Sequence, residues 1–95
     1  MSVGMQFTSS ENTIDDYDKV VTALNFPTEW PDGLIAHTCC DVDGGILIDE
    51  IWDTRGHYDR FAEGRLGTAI AEALGDRARP PVIAEAEIHA FHARI

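Results

Sequence analysis

The 95 residues carry 17 acidic and 7 basic side chains, a net charge of −10. A surplus of that size works against binding nucleic acid or an anionic membrane, which both need clustered Lys and Arg. The length suits one domain over residues 1–95, and no apolar run approaches the ~20 residues of a membrane-spanning helix.

The acids are scattered, as on a solvated surface, rather than gathered into a tail. The start MSVGMQFTSSE lacks the basic and long apolar segments of a signal peptide. Two adjacent cysteines are no disulfide framework. The expectation is a cytoplasmic domain, and nothing in the pattern calls for a cofactor.

In chain order, residues 2–8 read as a strand with Val3, Met5 and Phe7 on one face. Thr13 is an N-cap, with Asp15 and Asp16 where a helix dipole favours acids. Ile14, Tyr17, Val20, Val21 and Leu24 form the apolar stripe of a helix over 13–25. FPTEWPDG (26–33), with two prolines and a glycine, is a loop. Residues 34–41 and 46–53 are strands around a DGG turn, a strong hairpin signal.

Thr54 caps a second helix with a stripe through Tyr58, Phe61, Leu66, Ala69, Ile70, Ala73 and Leu74. Gly64 and Gly67 weaken its middle and predict a kink, and Gly75 closes it. After the connector DRARPP, residues 82–95 form a last strand with Val82, Ala84, Ala86, Ile88 and Ala90 alternating.

The order β-α-β-β-α-β is the split βαβ arrangement of an α+β, ferredoxin-like sandwich, with both helices on one face of the sheet. The hairpin nevertheless carries apolar residues of both parities. Ile35, Ile46, Ile48 and Trp52 fall on one side; Leu34, Ala36, Leu47 and Ile51 fall on the other. Two buried faces in so small a chain predict that a second copy covers the open one, giving a homodimer.

The hairpin also carries the candidate chemistry. With Asp43-Gly44 as the turn, opposed residue numbers sum to 87 and His37 faces Glu50; with Gly44-Gly45 they sum to 89 and His37 faces Trp52. In either register His37, Cys39, Asp41, Glu50 and Trp52 share one face. Glu50 could then orient His37 as a general acid/base. The plain alternative is a cross-strand pair worth ~0.2–1 kcal/mol with no chemistry.

A metal on His37, Cys39 and Asp41 is disfavoured, since same-face positions on a strand are about 7 Å apart. The two thiols point to opposite faces with no neighbouring cation, and read as small hydrophobes. DVDGG lacks the remaining features of a calcium loop and reads as a turn. On the last strand Glu85, Glu87, His89 and Phe91 share a face, either solvated or part of a site completed across a dimer. His57 and His92 look exposed and incidental.

Three segments carry a family resemblance: PDGLIAHT (31–38), DEIWDTRGHYDRFAEGRL (49–66) and EAEIHAF (85–91). A glycine-led strand runs to a histidine, a second strand ends in Trp, acid and Thr, and a helix follows with Tyr58 and Phe61 an aromatic step apart. Together these resemble the antibiotic biosynthesis monooxygenase-like dimeric α+β barrels, and among them small actinobacterial-type members.

The resemblance implies a homodimeric barrel with a small pocket between sheet and helices in each subunit. It also implies chemistry of the kind found in the family, such as cofactor-independent oxygenation of aromatic polyketides and quinols, haem degradation, or isomerase and cyclase activity in related barrels. The haem-degrading pattern would need Trp at 61, His at 71 and Asn at 6, where this chain has Phe61, Ala71 and Gln6.

The functional expectation is a pocket for a small hydrophobic, aromatic or polyketide-like molecule. His37 and Glu50 would be its catalytic pair, and Trp52, Tyr58, Phe61, Phe7 and His89 would bind the ligand. The alternative is a non-catalytic barrel that binds or assembles.

Overall fold

The computed structural model describes residues 1–94. Its elements run β1 (Val3–Ser9), α1 (Ile14–Leu24), β2 (Leu34–Val42), β3 (Gly45–Trp52), α2 (Arg55–Phe61), a π-helical turn (Ala62–Leu66), α3 (Gly67–Leu74), a 3₁₀ turn (Gly75–Arg77) and β4 (Val82–Glu87). The antiparallel sheet has the order β2-β3-β1-β4, the expected ferredoxin-like topology. Among the described residues no helix is long and apolar enough to cross a membrane.

The hairpin takes the register in which Asp43-Gly44 is the turn. Asp43 (φ 49°) and Gly44 (φ 85°) both take left-handed conformations, as a two-residue turn matched to strand twist requires. His37 therefore opposes Glu50 and Cys39 opposes Ile48.

The pairing is interrupted nearer the start of β2. Leu34 opposes Trp52 and Ala36 opposes Ile51, with the register shifted between them. One residue, Ile35, is thus extra, and a β-bulge absorbs it. Strict alternation had put Ile35 beside Trp52 and Leu34 on the far face. The bulge exchanges them: Leu34 is buried in the core and Ile35 is 45% exposed. Met5, Phe7, Leu34 and Trp52 form that core, with Val3, Phe26, Ile48, Tyr58 and Phe61 packed around it.

Helix α1 begins as its sequence predicts. The Thr13 hydroxyl accepts from the Asp16 N–H, and the Asp16 carboxylate accepts from the Thr13 N–H, a reciprocal capping box. Asn25 ends the helix in a left-handed conformation.

The second helical run starts on the Thr54 cap. Where a kink was expected near Gly64 and Gly67, it widens instead into the π-helical turn. Such a turn inserts one extra residue without breaking the helix. The final strand is shorter than alternation suggested, ending at Glu87. All six of its residues are exposed, and β4 is one of the two edge strands of the sheet.

Candidate functional site

His37 and Glu50 come from adjacent strands, side by side on the helix-facing side of the sheet. His37 Nδ1 lies 2.7 Å from Glu50 Oε2, with the two side chains 13% and 11% exposed. The indole N–H of Trp52 donates to the other carboxylate oxygen, Oε1, at 2.9 Å. On the opposite side His37 Nε2 lies 2.6 Å from the hydroxyl of Tyr17, on α1.

The network assigns its own protons. Trp52 Nε1 can only donate, and an ionised carboxylate can only accept. Glu50 is thus an acceptor at both oxygens, and His37 Nδ1 must carry a hydrogen. In the neutral imidazole Nε2 is then an acceptor, so the Tyr17 hydroxyl donates to it. The chain Trp52→Glu50←His37←Tyr17 joins two strands and a helix.

Burial, aided by the nearby Cys39, Glu50 and Asp18, pushes the Tyr17 phenol up to about 12, so it keeps its proton. Burial likewise pushes the Cys39 thiol up to about 11, which removes it as a thiolate nucleophile.

This chain of bonds reaches a cavity of about 240 Å³ between the sheet and the helices. Of the residues singled out in the sequence, Phe7, His37, Glu50, Tyr58 and Phe61 line it; Trp52 and His89 do not. Trp52 is fully buried and holds Glu50 from behind, with its ring 5.7 Å from those of Tyr58 and Phe61. His89 lies exposed beyond the end of β4. Its strand face is exposed, the solvated alternative of the sequence reading. Glu85 opposes Met5 on the helix-facing side and is ion-paired with Arg55, which also grips Asp59.

His57, expected to be incidental, is partly buried and bonded to Thr54 at 2.7 Å. A Cβ at Gly33 would collide with its ring, and Gly33 itself has φ +84°. This contact seats the loop that leads into β2. Among the described residues no group of three or more His, Cys, Asp or Glu is placed to hold a metal ion.

Tyr17 is the member of this network that sequence reasoning missed. It sat in the apolar stripe of α1, where a ring with a polar tip looks like core. The signal was its hydroxyl, which a buried tyrosine has to satisfy. Phe26 and Pro31, from the loop after α1, also line the cavity. The Phe26 ring meets His37 edge-on at 5.0 Å. Arg65 ties that loop down through the carbonyl oxygens of Leu24 (3.3 Å) and Glu29 (2.9 Å).

Asn12, Ser9 and Asp16 form a second polar group along the cavity. The Asp16 carboxylate receives Arg77 at 2.8 and 3.0 Å and the Asn12 amide at 3.2 Å, besides the Thr13 N–H. These bonds, Arg77 foremost, hold its carboxyl down at about 2.

Solved structures reproduce this architecture over nearly the whole chain. A candidate antibiotic biosynthesis monooxygenase from Chloroflexus aurantiacus aligns with a TM-score of 0.71 at 16% identity, covering 98% of each chain. The chain has the fold of the antibiotic biosynthesis monooxygenase-like proteins. A second candidate of that description, from Deinococcus radiodurans, aligns at 0.64 with 19% identity, covering 100% of this chain and 99% of the other. A Streptomyces coelicolor monooxygenase solved with nanaomycin D aligns at 0.61 with 14% identity, covering 99% and 92%. Neither a protein-family model nor a curated protein sequence matches this chain. At these identities the likeness establishes the fold, and the site has to speak for the chemistry.

Proposed function

We propose that this chain forms a homodimeric α+β barrel whose pocket binds a small aromatic or polyketide-like molecule and moves a proton on it. His37 is the acid/base and Glu50 orients it, as in a cofactor-independent monooxygenase or a proton-transfer isomerase or cyclase. The observation that carries this reading is a cavity of about 240 Å³ with the His37–Glu50 pair in its wall. A merely structural cross-strand pair has no need of adjoining empty space. Phe7, Tyr58 and Phe61 supply the aromatic wall, and the remaining lining is mostly aliphatic.

In the oxygenase version the substrate loses a proton to His37, and the resulting anion delivers electrons to dioxygen. For a methylene flanked by aromatic rings, one oxygen atom becomes the new carbonyl and the other leaves as water with the two hydrogens. The bound nanaomycin D of the Streptomyces neighbour supports an aromatic polyketide-type ligand. In an isomerase or cyclase the proton returns at another atom.

The test is oxygen uptake with anthrone- and quinol-type substrates, comparing the wild type with His37→Ala. Loss of a general base is worth about 10²–10⁴ in rate. Turnover by the wild type that falls by that factor in the variant supports the oxygenase. Ligand binding without turnover supports a binding barrel instead.

The dimer rests on the open face of the sheet, which carries Ala36, Leu47 and Ile51 together with the exposed Val82 and Ala84 of β4. Sedimentation is expected to give a dimer, and a stable monomer at micromolar concentration overturns this part.

A further inference from the structure

Every hydrogen in the Trp52–Glu50–His37–Tyr17 chain is already donated. With Glu50 ionised and the imidazole neutral, Trp52 gives its N–H to Glu50, His37 gives Nδ1–H to Glu50, and Tyr17 gives its O–H to His37 Nε2. A phenolic oxygen can still accept, and among the described residues no other group bonds to the Tyr17 hydroxyl. Where the network meets the cavity it therefore offers an acceptor.

A ligand hydroxyl can donate to the Tyr17 oxygen and leave the network whole. A ligand carbonyl or ether oxygen must draw the Tyr17 hydrogen away from His37, breaking one bond to form another. We propose that this pocket selects hydroxyl-bearing ligands, phenols, enols and secondary alcohols, over their ether and ketone counterparts, with Tyr17 as the residue that selects. The proposal rests on the reading of the cavity as a ligand site and adds the polarity of what enters it.

The same geometry gives Tyr17 a part in proton movement. A ligand hydroxyl seated on the Tyr17 oxygen passes its proton to that oxygen as the phenolic proton passes to His37 Nε2. The ligand is then an anion, Tyr17 is neutral again and donates to it, and imidazolium His37 faces carboxylate Glu50. The net charge is unchanged: the imidazolium pairs with Glu50, and the ligand anion is held by the Tyr17 O–H.

The opposite end of the cavity does not compete for a small probe. The Ser9 hydroxyl accepts the N–H groups of Glu11 (3.2 Å) and Asn12 (3.1 Å), and among the described residues it donates to none. Met5 stands opposite Glu50, and Ser9 is four residues further along β1, roughly 13 Å at strand rise. An apolar cavity of about 150 Å³ takes benzene, so 240 Å³ suits two fused rings, which cannot touch both ends.

The experiment titrates 2-naphthol and its methyl ether into the wild type and Tyr17→Phe by calorimetry, with melting temperature as the check on folding. Taking the ratio of ether to naphthol dissociation constants in each protein cancels the probes' differing hydration. That ratio is expected to fall about tenfold in Tyr17→Phe, the effect of one hydrogen bond. A second pair needs no variant: the wild type is expected to bind 1-tetralol more tightly than 1-tetralone.

An unchanged naphthol ratio in Tyr17→Phe, or a wild type that prefers the ketone, overturns the selectivity while leaving the pocket reading intact. Failure of the wild type to bind any of the four probes overturns the pocket reading itself.

Discussion

Two carboxylates, one buried and one partly buried, sit along one cavity, and their surroundings have opposite characters. Asp16 is closed in by the Arg77 guanidinium, the Asn12 amide and the Thr13 N–H. Glu50 has two ring nitrogens as partners, His37 and Trp52, and among the described residues no Arg or Lys bonds to it. The first network ends on a cation that cancels its charge. It ties the start of α1 to the end of the second helical run, and its carboxylate cannot usefully change state. The second ends on an imidazole and a phenol, whose protons can move. Adjacent residues of one helix, Asp16 and Tyr17, thus serve two purposes: a network closed by opposite charge is architecture, while one ended by titratable rings at a cavity can do chemistry.

The sharpest way to break this contrast is Glu50→Gln. An amide has its own N–H to place between two donors, so His37 loses the acceptor that fixes its tautomer. Any turnover found by oxygen uptake is expected to fall about 10²–10⁴-fold, with the melting temperature moved less than by the matching change at Asp16. A glutamine variant with full activity would make the pair structural.

Asp16→Asn should do the reverse. Its folded carboxyl is held at about 2, below its ordinary 3.8. The stabilisation it confers is therefore fully present above pH 3.8 and is lost as pH falls towards 2. Thermal unfolding followed between pH 6 and 2 is expected to show a lower melting temperature for the variant at neutral pH and a shallower loss in acid. Equal acid profiles for the two proteins would remove Asp16 from the architecture.

The smallest effect belongs to Thr13→Ala. It deletes one side of the capping box and leaves Arg77 on Asp16. About 1 kcal/mol is expected from such a cap, or roughly 4–8 °C in a domain of this size, measured by calorimetry with ligand binding unaffected. A change in ligand affinity would show that the two networks are coupled through α1.

Much of this could be read from local pattern. Period-two and helical spacing located the strands and helices, and the Thr13 and Thr54 caps set both helix starts. Asp43-Gly44 offered the turn that places His37 opposite Glu50. His37, Cys39, Glu50 and Trp52 shared a face under either register, because parity survives a shift of two. It does not survive an insertion of one, which is why Leu34 and Ile35 exchanged sides at the bulge. On β4 the alternation holds without interruption, and the fold decides that Glu85 lies on the helix side, where Arg55 meets it.

The sequence by itself determined the order of elements, the hairpin and the shared face of His37 and Glu50, since these depend on contacts near in the chain. Tertiary structure decided the rest: the bulge that buries Leu34, the withdrawal of Trp52 behind Glu50, and the cavity itself. It also decided that Tyr17, 20 residues before His37, supplies the other half of the histidine's hydrogen bonding. Such pairings depend on how a helix lies across a sheet, and packing of the whole layer sets that angle.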